Sequence, residues 1–262
     1  MSRTGDERKD SVSIEILSEC GAMSIYCQRQ TEPSCPFPWT RGRAKINTLM
    51  PKHFVVIDPA VVKPEIAAFN RMAKSSPLPL TVHFPSLFGT HTLSDDINDI
   101  AGVIVMGSKA SVNEKLPWQT ELGEWLKKIW EKQIPTLGFC YGHQLIGFLH
   151  GATVGPAFAK KIKKVGFREV TFSSNNLIGE GTCGKLYYSH EEAVLTVPAG
   201  MHVFGKSGEV AVEALEHDRL PIWSLQTHPE TICVKEGVAR TPNDLAFGHS
   251  IVDAFLLKCR NG

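Results

Sequence analysis

The chain has 262 residues, 42% apolar and 21% charged, enough for one large α/β domain or a medium domain with appendages around a sizeable core. Lys plus Arg number 28 against 27 for Asp plus Glu, a formal charge of +1, so the balance gives no electrostatic case for nucleic acid or a membrane as partner. The seven cysteines, with no CxxC pair, follow a start (MSRTGDERKD) too charged for a signal peptide, and no apolar run reaches the roughly 20 residues of a membrane span. Reduced thiols and a cytoplasmic address are the expectation.

Residues 1–50 lack helical or strand periodicity and carry three of the cysteines and the segment EPSCPFPWTRGR. They read as a disordered or loosely docked extension, with the folded domain over 51–260. Met50, just before PKHFVVID, offers an alternative translation start, which the intact mass of native protein decides. From Phe54 the grammar changes. FVVID (54–58) is a buried-type strand and PEIAAFNRMA (64–73) a helix, with Pro64 suited to its first turn. LTVHF (80–84) and AGVIVMG (101–107) are strands, and residues 117–132 form a helix with Leu122, Trp125, Leu126 and Ile129 on one face. IPTLGFC (134–140) is a strand running into the helix YGHQLIGFLHG (141–151). Strands alternating with helices predict an open, mostly parallel α/β sheet with helices on both faces.

The second half is built of short β runs: FREVTF, KLYYSH, AVLTV, HVFGK, EVAVEAL and PIWSLQ. They predict antiparallel strands added to the sheet or a small accessory sheet. The segment 243–259 returns to helical spacing and closes the domain.

Gly138-Phe139-Cys140-Tyr141-Gly142 matches the G-x-nucleophile-x-G elbow with Cys in place of Ser, at a predicted strand-to-helix junction. A nucleophile on so tight a turn takes a strained backbone conformation, and its neighbours must lack side chains. The thiol then lies at the carboxyl edge of the sheet and at a helix N-terminus, which favours thiolate. A lone cysteine is more often a buried structural one, and the elbow context only balances that reading. Gln226-Thr227-His228-Pro229-Glu230 follows the strand PIWSL and supplies a base and a carboxylate two residues apart. In an extended chain that spacing puts both side chains on one face, so the carboxylate can orient the imidazole. Taken alone, the pentapeptide reads as a turn with a surface His and Glu.

GFCYGHQLIGFLHGA (138–152), LQTHPE (225–230), VIVMGSKASV (103–112) and YYSHEEAV (187–194) together resemble the class I (triad-type) glutamine amidotransferases. The resemblance is closest to the amidotransferase domain of GMP synthase and its stand-alone relatives, and spans roughly residues 52–258. It implies a flavodoxin-like fold with Cys140 as nucleophile, His228 as general base and Glu230 as orienting carboxylate. The backbone N–H groups of Tyr141 and of the Gly107-Ser108 turn would form the oxyanion hole. Gln144 would bind glutamine, and the backbone of Ser189 and His190 would grip its amino-acid end. Two departures are Ser108, where the family often has a second glycine, and Glu191-Glu192 after the Ser-His pair. The implied reaction is a γ-glutamyl thioester releasing glutamate and ammonia, without metal or organic cofactor.

Other signals carry less. Gly200-Met201-His202-Val203-Phe204-Gly205-Lys206-Ser207 fits the P-loop expression, but β-type runs within and after it predict a hairpin turn. Lys160, Lys161, Lys163 and Lys164 read as a solvated loop, or as a dock for an acidic partner or anionic substrate. Cys140 with His143 is weak support for zinc. Three functions follow in order: a glutaminase feeding ammonia to a separate synthetase, since no SGG-type phosphate-binding loop is present; a γ-glutamyl peptide or conjugate hydrolase; and a non-catalytic regulatory module on the same fold.

Overall fold

The computed structural model describes residues 51–158, 162–236, 238, 241 and 243–261. The extension expected over 1–50 lies outside the described residues, as do Lys160 and Lys161.

Strand β1 (His53–Ile57) is buried at its last four positions, as a strand covered on both faces requires. Helix α1 (Ile66–Ser75) turns Ala68, Phe69 and Met72 inward. It begins after Pro64, not with it. The Asp58 carboxylate at the end of β1 accepts the N–H groups of Ala60 and Glu65, at 3.1 and 2.7 Å, and so fixes the connecting loop. The chain continues through β2 (Leu80–His83), the single turn α2 (Pro85–Phe88) and β3 (Ile100–Val105). Helix α3 (Pro117–Glu131), β4 (Thr136–Phe139) and α4 (Tyr141–Leu149) complete the first half. Leu122, Trp125, Leu126 and Ile129 of α3 are all buried, as their spacing predicts. Each such aliphatic side chain contributes about 1.5–3 kcal/mol.

The second half comprises β5 (Val154–Pro156), β6 (Lys164–Phe172), β7 (Thr182–His190), β8 (Glu192–Val194), β9 (Met201–Lys206), β10 (Ala214–His217) and β11 (Ile222–Leu225), then helix α5 (Ala246–Lys258). Among the described residues one nine-stranded sheet has the order β2-β1-β3-β4-β11-β10-β9-β6-β7, and β5 pairs with β8 apart from it. The second half thus adds strands to the main sheet and also forms a small accessory one. From β2 to β11 every pairing is parallel; from β11 to β7 every pairing is antiparallel.

Two expectations change. PIWSLQ, grouped with the antiparallel runs, becomes β11, which pairs parallel with β4 on one edge and antiparallel with β10 on the other. EVAVEAL contributes only its end to β10, because the Ser207 hydroxyl holds the preceding turn, accepting the Val210 N–H at 3.0 Å. The P-loop look-alike is strand β9 and the start of that hairpin connection.

Alternate residues of the parallel strands feed two cores. Val55, Ile57, Val103 and Val105 pack with α3 and α4, while Phe54, Val56, Ile104, Leu137 and Phe139 pack with residues of α1 and α5. Helices on both faces fix where β4 ends and α4 begins. Among the described residues no helix is long and apolar enough to cross a membrane.

Candidate active site

Cys140 sits between β4 and α4 with φ 48° and ψ −99°, a left-handed conformation that costs a non-glycine residue about 1–3 kcal/mol. The surroundings hold it there. Its N–H donates to the Leu225 carbonyl at 2.9 Å and its carbonyl accepts the Gln144 N–H at 3.0 Å. The elbow glycines are required by close approach. A Cβ on Gly142 would lie 2.2 Å from the Val105 carbonyl oxygen, and one on Gly138 would lie 2.7 Å from the Gly142 backbone. The buried thiol stands at the N-terminal end of α4.

His228 and Glu230 meet as the sequence predicts, but by another geometry. β11 stops at Leu225, and the pair sits on a turn in which the Thr231 N–H donates to the His228 carbonyl at 3.3 Å. Pro229, with no N–H, cannot extend a strand ladder there. His228 Nδ1 lies 2.9 Å from Glu230 Oε1, and the His228 N–H donates to the Tyr187 carbonyl at 2.8 Å, tying this turn to β7. Burial works to lower the imidazole's pKa. The Cys140 sulfur, which is hydrogen-bonded to the ring, and the Glu230 carboxylate outweigh it and hold His228 well above its ordinary value.

Gly107 lines the gap. A Cβ there would lie 2.5 Å from His228 Cε1 and 3.5 Å from Cys140 Cβ. Ser108 turns its hydroxyl away, donating to the Pro59 carbonyl at 2.6 Å and accepting the Ala110 N–H at 3.1 Å. A serine therefore fastens the turn that a second glycine would leave looser. Tyr141 is the first residue of α4, so its N–H has no intrahelical acceptor.

Gln144, one turn along α4, is buried and donates from Nε2 to the Glu192 carbonyl at 2.7 Å. Ser189 and His190 end β7; Ser189 lies opposite Val165 in the β6–β7 ladder. His190 is buried, with Nδ1 2.9 Å from that same Glu192 carbonyl. Glu192, a departure from the expected pattern, is anchored through its carboxylate, which accepts the Ser111 hydroxyl at 2.6 Å. His143 points into the core, its Nδ1 2.8 Å from Ser224 Oγ, and burial pushes its pKa down to about 3. Among the described residues no group of three or more His, Cys, Asp or Glu could hold a metal ion.

Sequence reasoning missed Asp58 and saw Lys163 only as part of a basic run. Asp58 is buried, and desolvation pushes its carboxyl up to about 6, with Glu230 adding to the shift and the two N–H donors opposing it. Lys163, just before β6, interacts electrostatically with the Cys140 sulfur. Burial lowers its pKa, the Cys140 sulfur opposes this, and Lys235 and Lys109 reinforce it. Those three lysines come from three loops, so no local pattern could group them. Lys164, by contrast, begins β6 and pairs with Glu209 at 3.1 Å.

A family model described as glutamine amidotransferase class-I matches residues 82–246. The glutamine-hydrolysing GMP synthase of Streptococcus equi subsp. equi is 30% identical over 151 residues, covering 56% of this chain and 28% of that protein. One of the subunits of the glutamine-hydrolysing GMP synthase of Methanothermobacter thermautotrophicus is 29% identical over 139 residues, 53% of this chain and 68% of that one. The match thus spans under a third of the Streptococcus protein's length. In fold, the chain is similar to a solved glutamine amidotransferase from Thermotoga maritima, with a TM-score of 0.63 at 15% identity over 79% of this chain and 97% of that one.

Proposed function

The chain belongs to the class-I glutamine amidotransferase family, and on that premise we propose that its domain over residues 51–260 hydrolyses the side-chain amide of glutamine through a γ-glutamyl thioester on Cys140. One observation carries the reading: a cysteine strained to φ 48° at a strand–helix elbow shares a hydrogen bond with an imidazole that Glu230 holds at 2.9 Å.

The Cys140 thiolate attacks the amide carbon and forms the C–S bond. The developing oxyanion is met by the N–H groups of Tyr141 and the Gly107-Ser108 turn. Imidazolium of His228 gives its proton to the amide nitrogen, the C–N bond breaks and ammonia leaves. Neutral His228 then takes a proton from water, whose oxygen attacks the thioester. Glutamate departs and the thiolate returns. Glu230 keeps the ring's proton-bearing Nδ1 turned toward itself throughout, so Nε2 faces the reaction. Gln144 and the Ser189-His190 backbone hold the amino-acid end. The ammonia goes to a separate synthetase, in keeping with the Methanothermobacter relative, which is named as one subunit of its enzyme.

A second reading, hydrolysis of γ-glutamyl peptides or conjugates, is favoured by Lys163, whose charge couples to the Cys140 sulfur and would suit an acidic leaving group. The test offers purified protein glutamine and, separately, γ-glutamyl dipeptides, and measures ammonia or amino acid released. We expect Cys140→Ala to lower turnover by about 10⁴-fold or more, and a glutamine-like electrophile to label Cys140. If wild type and Cys140→Ala are indistinguishable on both substrates, or the label falls on Cys183 or Cys233, the catalytic reading fails.

A further inference from the structure

The proposed mechanism leaves unused a buried ionic group behind the pocket. Arg168 of β6 and Glu213, just before β10, are both buried. Arg168 Nε lies 2.6 Å from Glu213 Oε1, and Nη2 donates to Glu213 Oε2 at 3.1 Å. The Ser207 hydroxyl donates to Glu213 Oε1 at 2.6 Å, and the guanidinium carbon stands 4.2 Å from the Tyr188 ring centre. A carboxylate and an aromatic face thus fix the guanidinium from two sides. Burial alone pushes the Glu213 carboxyl up, and Arg168 works against it.

The pair spends a donor on something that needs none for stability. Arg168 Nη2 lies 2.6 Å from His190 Nε2. Guanidinium nitrogens only donate, so Nε2 must present its lone pair, and the proton of the neutral ring must sit on Nδ1. Nδ1 faces the Glu192 carbonyl at 2.9 Å and therefore donates to it. Gln144 Nε2 donates to the same oxygen at 2.7 Å, and lies 3.4 Å from Gln226 Oε1, two residues before His228. Burial and then Arg168 push the His190 pKa down to about 3, so the ring stays neutral at working pH.

We infer that Arg168, fixed by Glu213, is a positioning residue: it locks His190 as the Nδ1–H tautomer, which holds the Glu192 carbonyl where it orients Gln144 in the γ-glutamyl pocket. The opposite tautomer would set a lone pair against the Glu192 oxygen and push apart the contact between β7, β8 and α4. A buried ion pair of merely structural use could be exchanged for apolar groups at little cost. This one cannot, because it carries the donor that selects the tautomer. The inference rests on the proposed γ-glutamyl chemistry only for what Gln144 binds.

The test uses the full chain and the double variant Arg168→Met/Glu213→Gln, which leaves no unpaired buried charge. Nitrogen NMR of the histidine rings should show His190 in wild type as neutral and Nδ1-protonated from pH 8 to below pH 5. In the double variant the tautomers mix and the ring's pKa rises, since the Arg168 charge is gone while burial remains. With glutamine or a γ-glutamyl dipeptide at pH 8, KM should rise about tenfold, the worth of one well-placed hydrogen bond, while kcat stays within about twofold. That KM defect should shrink as pH falls, because an imidazolium regains the Nδ1–H donor. An Nε2–H tautomer or an imidazolium in wild type at pH 7 overturns the inference. So does a double variant whose thermal midpoint falls while tautomer and KM stay unchanged. A wild type that turns over neither substrate defeats the γ-glutamyl reading, and the NMR result still decides the tautomer lock.

Discussion

The parallel strands β2-β1-β3-β4-β11 and the antiparallel strands β10-β9-β6-β7 are set in place by different physics. On the parallel side, backbone meets backbone: Gly142 lies against the Val105 carbonyl, Gly138 against Gly142, and a Cβ on Gly107 would enter the His228 ring. Position there is enforced by repulsion, which is steep, and the strained Cys140 is its product. The antiparallel side is set by side chains, through the Arg168–Glu213 pair and its bond to His190. Directional attraction between long side chains tolerates more movement, so this half suits adjustment of the pocket and the parallel half suits the reacting atoms.

That contrast can be broken or sharpened. The largest effect is expected from Glu213→Gln alone, which leaves the buried guanidinium only the half-exposed Glu209 at 3.7 Å and should cost about 3–5 kcal/mol in urea unfolding. A loss under about 1 kcal/mol would mean that the ion pair does not organise the antiparallel half. Next, Gly107→Ala should lower kcat/KM by about 100-fold, because the imidazole must move by a fraction of an ångström to an ångström, while the urea midpoint barely changes; steady-state kinetics beside unfolding curves separate the two. A smaller shift concerns charge. Removing the sulfur in Cys140→Ala deletes a partner that raises the His228 pKa, so the ring's NMR titration midpoint should fall. The sign also governs wild type: with a folded value above the unfolded ~6.5, the stability His228 contributes is full below that pH and is lost as pH rises through the folded value. In the proposed mechanism the same proton goes to the leaving nitrogen, so kcat/KM should decline over the same rise. Smallest in its effect on activity is Gly184→Ala in β7, where the new Cβ would lie 2.1 Å from the packed Phe247 ring. Overpacking there should cost about 1–3 kcal/mol in urea unfolding, with kcat/KM unchanged.

The first half was legible because its constraints are local. A short apolar strand, an amphipathic helix with Leu122, Trp125, Leu126 and Ile129 inward, and Gly-x-Cys-x-Gly at the junction each fit within one window of sequence. The order of strands in the second half was not legible, because β6 pairs with β9 past the intervening β7 and β8, and β11 changes partner type between its two edges. The HPE segment lies between these cases. Its residues were found, yet the extended geometry assigned to them gave way to a turn, since what brings His228 to Cys140 is a bond from its N–H to Tyr187, 41 positions away.

By itself the sequence determined the elbow, its flanking glycines, the alternation that builds a parallel sheet, and the residues from which a Cys140, His228 and Glu230 site is assembled. Those follow from sterics and periodicity, which act between near neighbours in the chain. Only the tertiary structure decided that Asp58 and Lys163 feel the charges of Glu230 and Cys140, and that Arg168 and Glu213 reach His190. Hydrogen bonds and charges act over a few ångströms in space, whatever the separation in sequence, and no local pattern marks the side chains that will meet.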